Sequence, residues 1–169
     1  IRLTNIPRMD GSGAPDAANP HPDKQVPALV DDGALVTESA AIVLHLTDRF
    51  PAAGLGPSVG DPLRGSYLTW LAYYAGVIEP VVTLEFAQLA HHPVLERTFR
   101  GRGETDARIL SALRAGPYLL GERFSGADIL VASLGQFARP MLPADRLVAA
   151  YLARMRLRPA WANCEFRTR

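Results

Sequence analysis

Two short segments limit what this chain can fold into more than any others: Lys24-Gln25-Val26-Pro27-Ala28-Leu29-Val30 and, eight residues on from Val30, Glu38-Ser39-Ala40-Ala41-Ile42. Pro27 stands at the mouth of a β-rich run. Before proline the preference for a trans bond falls to about 0.5–1 kcal/mol, so Val26-Pro27 is open to the cis form. In that form the backbone N–H and C=O ahead of the proline turn outward, where an extended ligand can pair with them. Asp31-Asp32-Gly33 is a hairpin signal. Ser39 then opens an apolar helix, whose unpaired N–H groups and positive dipole end suit a carboxylate. Glu38 beside it can hold an ammonium group. The two segments are either an ordinary hairpin with its helix or a cradle for a small peptide-like anion.

The flanking chain supplies the scaffold. Ile1, Leu3 and Ile6 lie on a strand-like piece that Pro7 ends, and residues 10–23 carry the Pro, Gly, Asp and Asn of a loop. Val26 to Val30 and Ala34 to Val36 read as strands. Ala40 to Phe50 reads as a helix, with Ile42, Leu46 and Phe50 four apart and Pro51 past its end. A Gly- and Pro-bearing linker follows, and beyond it the pattern turns helical. Asp61-Pro62 predicts a helix start. Leu63, Tyr67, Trp70, Tyr74, Val77, Val81 and Leu84 then alternate steps of four and three, the apolar seam of a long helix that Pro80 should kink. Most of that seam is core. Tyr73 and Tyr74, near the kink, suit either core or the wall of a ligand cleft.

Further along, His91-His92-Pro93 reads as a loop, since adjacent histidines share no helix face and lack ligands at metal spacing. Gly101-Arg102-Gly103-Glu104 reads as a turn with solvated charges, and Thr105 or Asp106 as the cap of a short helix carrying Ile109, Leu110 and Leu113, stopped at Gly116-Pro117. Ser125 and Asp128 predict a capping box, with Phe124 packing on Ile129 as a staple and the helix running through Leu130, Leu134, Phe137 and Met141. Loss of Asp128 should cost about 0.5–2 kcal/mol on this reading. Asp145 to Met155 predicts one more helix.

Gln25-Val26-Pro27-Ala28-Leu29, the Glu38-Ser39 pair, the Tyr118-Leu119-Leu120-Gly121 to Ala127-Asp128 stretch and Arg158-Pro159-Ala160-Trp161 resemble the glutathione transferase family, bacterial and cytosolic in type. His21-Pro22-Asp23-Lys24 stands where that family usually has a shorter Gly-Lys link. The resemblance implies an α+β fold: a partial thioredoxin-like domain over 1–51, a linker over 52–60, and an all-α helical bundle over 61–169. It implies glutathione, a substrate, bound by Gln25, Val26, Pro27, Glu38 and Ser39, and thiolate attack on a small electrophile in a pocket bordered by Tyr73 and Tyr74. It implies detoxification chemistry, a homodimer and a cytoplasmic location. The family's thiol-activating residue sits at an earlier strand–helix junction, and the chain begins at what resembles the second strand, so the catalytic residue is unknown. A non-catalytic binding or scaffold protein of the same fold is the second reading.

Charge and composition exclude other classes. A formal net charge of +1 gives no electrostatic reason to expect nucleic acid or an anionic membrane. The arginines at 154, 156, 158, 167 and 169 lack aromatic interleaving and read as solvated surface. Cys164 is the single cysteine, so no internal disulfide forms and a reducing compartment is the expectation. No metal is implied. Residues 1–7 lack the apolar core of a signal peptide, and no stretch has the apolar length of a membrane span.

Overall fold

The computed structural model describes residues 12–162; the strand-like piece at Ile1 to Ile6, Cys164, Arg167 and Arg169 lie outside them. The chain enters through a loop and forms an antiparallel hairpin of β1 (Ala28–Asp31) and β2 (Ala34–Thr37). Helix α1 (Ser39–Arg49) follows directly. The rest is helical: α2 (Arg64–Tyr73), a π-helical turn (Tyr74–Ile78), α3 (Glu79–Phe86), α4 (Pro93–Thr98), α5 (Arg102–Ala115), α6 (Gly126–Phe137), α7 (Arg146–Arg156) and α8 (Pro159–Ala162). The class is α+β, a hairpin and helix of thioredoxin-like type leading into an all-α bundle.

The apolar seam of the long helix does form the core. Of its members Tyr67, Trp70, Tyr74 and Val81 are buried and Leu63, Val77 and Leu84 partly so, while the widened turn buries Ile78 in the place expected of Val77; Ile109 and Leu113 of α5, Val131 and Leu134 of α6, and Val148, Tyr151 and Met155 of α7 join them. Pro80 acts differently from a simple kink. Its missing N–H cannot continue the ladder, and the turn ahead of it widens, so that the Glu79 N–H donates to the Tyr74 carbonyl, five residues back. The widened turn packs against α1 and α6.

The Ser125–Asp128 box is present and buried. The Asp128 carboxylate accepts from the Ser125 N–H at 2.8 Å, the Ser125 hydroxyl at 3.1 Å and, across the turn, the Leu119 N–H at 2.9 Å. Burial raises the Asp128 pKa, and the hydrogen bonds oppose that rise. Tyr151 of α7 donates to the Asp128 carbonyl at 3.0 Å. Helix α6 is thereby pinned at its first turn to the preceding loop and to α7. Gly126 stands where a Cβ would overlap the Val43 side chain and crowd the Tyr67 hydroxyl, and its N–H donates to Leu55 O at 2.7 Å. Glycine there lets α6 seat against α1.

Several expectations change. Helix α2 begins at Arg64, because Asp61 first closes a turn by accepting the Leu63 N–H at 2.8 Å. Gly101 to Glu104 is the first turn of α5, not a solvated turn: Glu104 accepts the Gly101 N–H, and Thr105 is buried one turn in. Arg102 pairs with Asp106 at 2.9 Å and donates to the Pro140 and Leu142 carbonyls, so α5 is anchored from its N-terminal end. Ile129 is 46% exposed, and Phe124 meets Tyr118 edge to face instead of forming the staple. Met141 lies beyond α6, in a short 3-10 turn. Arg154 donates to the Pro117 carbonyl and the Arg158 guanidinium sits 3.5 Å from the centre of the Phe124 ring, so neither is merely solvated.

The larger hydrogen-bond set raises the expected cost of Asp128→Ala. Two buried N–H groups lose their acceptor, each costing about 1–3 kcal/mol, so urea unfolding should give a loss of roughly 2–6 kcal/mol. A second expectation concerns Arg64, which grips Asp48 with two bonds of 2.6 and 2.8 Å. That hydrogen bond holds the Asp48 pKa below its ordinary value. A depressed carboxylate stabilises the fold above its unfolded pKa and loses that contribution as pH falls through the folded one. The stability gap between wild type and Asp48→Asn should be full above the ordinary carboxylate range and should close as the pH falls through the lowered folded-state value.

Candidate functional site

Hairpin register brings the two informative segments together. Ala28 pairs with Thr37 and Asp31 with Ala34. The loop is therefore the two residues Asp32 and Gly33, with φ of 49° and 83°, the pattern of a type I′ turn. At the opposite, open end Pro27 lies level with Glu38. The Val26-Pro27 bond is cis, and Val26 is 48% exposed. Gln25, Val26 and Pro27 are all on the surface. A cis prolyl bend and the tip of α1 thus share one end of one hairpin.

The tip itself is available. Ile42 donates to Glu38 O at 2.9 Å, which leaves the N–H groups of Ser39, Ala40 and Ala41 without an intrahelical acceptor, and no side chain caps them. Glu38 adopts φ 67° and ψ 125°, a conformation that costs a residue with a Cβ about 1–3 kcal/mol. The chain turns sharply there, from strand into helix, and the Glu38 side chain stays exposed.

Two clamps hold these parts. At the closed end, His45 of α1 meets Asp31 at 2.7 Å and Arg49 meets Asp32 at 2.6 Å, fixing hairpin to helix. Ahead of the open end, the buried Asn19 amide donates to Gln25 O at 2.8 Å and its oxygen accepts from the His21 N–H at 3.0 Å. Lys24, at φ 57°, returns its ammonium to Asn19 O at 2.9 Å. The His21-Pro22-Asp23-Lys24 insertion therefore folds on Asn19 and leads into the cis bend. Neither clamp has a local signature in the sequence beyond Asn19-Pro20 itself.

Tyr73 and Tyr74 are each 6% exposed. Arg108 lies 4.1 Å from the centre of the Tyr73 ring, and Trp70 meets that ring edge to face. Tyr74 is pushed up to about 12 by burial and the neighbouring Glu79 carboxylate. Its hydroxyl stands beside Glu79 and Ser133. Glu79, half-buried at the start of α3, escaped the sequence reading because it sits in an apolar helix pattern. Burial raises its pKa, Tyr74 lowers it, and repulsion from Glu38 adds to the rise. Glu38 and Glu79, far apart in the chain, are close enough in space to feel each other's charge.

Elsewhere, two adjoining cavities of about 310 and 370 Å³ lie between α3 and the α4–α5 corner, bordered by Val81, Leu84, Phe99 and Arg100. Among the described residues no group of three or more His, Cys, Asp or Glu is placed to hold a metal ion. His92 caps α4 through the Val94 N–H, and His91 is exposed beside Glu96. Among the described residues no helix is long and apolar enough to cross a membrane.

Comparison with known proteins agrees with this arrangement. A family model described as the glutathione S-transferase N-terminal domain matches residues 3–57. Glutathione S-transferase GstA of Escherichia coli O157:H7 is 31% identical over 144 residues, covering 82% of this chain and 71% of that protein. A glutathione transferase from Methylococcus capsulatus is similar in structure, with a TM-score of 0.65, 27% identity, and coverage of 85% of this chain and 73% of that one. A sphingomonad glutathione S-transferase solved as a complex with glutathione gives a TM-score of 0.67 at 24% identity, with coverage of 85% and 73%.

The loop clamp generates an expectation of its own. Asn19→Ala removes the donor to Gln25 O and strands the His21 N–H, so amide hydrogen exchange over residues 20–27 should accelerate and stability fall by about 1–3 kcal/mol.

Proposed function

Because the chain belongs to the bacterial-type glutathione transferase family, we propose that it binds glutathione at the open end of its hairpin and presents the thiolate to a small electrophile. The observation that carries this reading is the register placing the cis Val26-Pro27 bend level with Glu38 and the uncapped start of α1. A tripeptide thiol matches what is offered there. The backbone at Val26 pairs with the cysteinyl N–H and C=O, with Gln25 and Pro27 shaping the bend. Ser39 and the free N–H groups of α1 take the γ-glutamyl carboxylate. Glu38 takes its ammonium.

In the reaction so proposed, the nucleophile belongs to glutathione. Its sulfur gives up a proton, forms a bond to the electrophilic carbon, and the leaving group departs as its anion. The protein orients two reactants and favours the thiolate. The same reading assigns residues 1–51 to the glutathione-binding domain, 52–60 to a linker and 61–169 to the all-α domain. It also includes a homodimer, a cytoplasmic location and a role in detoxification. Burial of Tyr73 and Tyr74 supports a core role for both rings.

Titration calorimetry with glutathione, followed by a conjugation assay with 1-chloro-2,4-dinitrobenzene, tests the proposal. Saturable binding with glutathione-dependent turnover supports it; binding without turnover leaves a binding protein of the same fold, and no binding removes the reading. Glu38→Ala should weaken glutathione affinity by roughly 10-fold or more, the worth of a charge-assisted hydrogen bond. An unchanged dissociation constant would take Glu38 out of the site.

A further inference from the structure

Large apolar side chains come to the surface where α3 turns back into α4 and α5: Phe86, Leu89, Val94 and Phe99 are each 49–54% exposed. The two adjoining cavities, of about 310 and 370 Å³, open at this corner. Each is within the range of a small-molecule pocket, roughly 300–1,000 Å³. Val81, Leu84 and Phe99 border both and give them one apolar wall.

The charges around that wall are unevenly met. At the smaller cavity Glu96 stands 3.5 Å from His91, Arg102 is taken by Asp106, and Glu104 accepts the Gly101 N–H at 3.0 Å. At the larger one Arg97 and Arg100 have no ion-pair partner among the described residues. The Arg100 guanidinium lies 5.9 Å from the centre of the Tyr73 ring, a contact that orients it without satisfying its N–H donors. Gly76, on the π-helical turn, borders the same cavity. A Cβ there would meet nothing within 4 Å, and its φ lies outside the left-handed region. Neither packing nor backbone requires glycine, a poor helix former. Its bareness keeps that side of the cavity open.

We propose that the larger cavity binds a small amphipathic carboxylate, its charge between Arg97 and Arg100 and its apolar body along Val77, Pro80, Leu84 and Phe99. Guanidinium forks match a carboxylate with paired N–H donors. The apolar body covers Phe99, which is otherwise left in water. An inorganic anion would use the arginines and leave the wall wet, and a neutral apolar molecule would do the reverse. The site shares no residue with those assigned to glutathione, and its test contains no glutathione.

The experiment compares 4-phenylbutyrate with its neutral amide, 4-phenylbutanamide, by titration calorimetry on wild type, the Arg97→Gln/Arg100→Gln double variant and Gly76→Leu. Wild type should bind the carboxylate saturably and prefer it over the amide by about 10-fold or more. The double variant should lose that preference while binding the amide as wild type does, which also shows that its fold and its apolar wall are intact. Gly76→Leu should bind neither probe and keep the wild-type melting temperature. Should that substitution disturb the turn, the arginine variant, altered only at exposed side chains, decides alone. The proposal is overturned if wild type binds the carboxylate no better than the amide, if it binds neither, or if the double variant keeps the preference. Wild-type affinity for both probes in a folded Gly76→Leu would place them elsewhere and overturn it too.

Discussion

The carboxylate of Asp128 takes two backbone N–H groups and a hydroxyl in a place that solvent does not reach. Removing such a group from water is costly, and only hydrogen bonds of this number and geometry offset the loss. Because the bonds come from the loop before α6, the carboxylate sets where α6 begins. Tyr151 extends the constraint to α7 through the Asp128 carbonyl. Helix α6 in turn seats α1, across the close approach at Gly126, and Thr47 of α1 meets the Tyr67 hydroxyl of α2 at 3.0 Å. The direction of α1, and hence the place of its free N-terminal N–H groups, follows from a carboxylate several turns away.

From α1 the constraint passes to the hairpin. His45 and Arg49 lie one turn apart on the helix and meet the two aspartates of the β-turn, so the closed end is held by charge. The open end is held by direct chain connection through Glu38 and by the Asn19 loop. Polar side chains thus satisfy one end of a small, two-stranded sheet, which alone would be marginal in water. The other end keeps its N–H groups and its exposed bend free. Backbone strain at Glu38 falls at that same free end, where strain in folded proteins tends to coincide with ligand contact.

The π-helical turn accommodates a proline within the core of the bundle. A regular helix through Pro80 would force the ring against a carbonyl one turn back. Widening the turn relieves that clash, keeps Tyr74 and Ile78 buried, and leaves Glu79 half-buried at the start of α3. Its raised pKa records both its partial burial and the nearness of Glu38.

What the sequence determined by itself is local. Pro27 after Val26, the Asp-Gly turn and the Ser125–Asp128 box each act over a few residues, and the structure contains all of them; the expected Ile42, Leu46 and Phe50 stripe of α1 does not hold, since Phe50 closes the helix and is 55% exposed while Ala40, Val43 and Leu44 pack on the core. The seven-residue seam likewise names the core of the bundle, because burial follows helical period. Where the sequence reading failed, a distant partner decided. Helix α5 starts at Arg102 because that side chain finds Asp106 and two carbonyls some forty residues on, and Phe124 leaves Ile129 for Tyr118. The Asn19 clamp and the turn at Pro80 are local contacts without a familiar sequence pattern, whereas the pairing of Arg64 with Asp48 and of Arg102 with the Pro140 and Leu142 carbonyls belongs to the tertiary fold. Local propensity fixes which segment bends or coils, but only packing decides which charges face one another, since that depends on atoms separated by much of the chain.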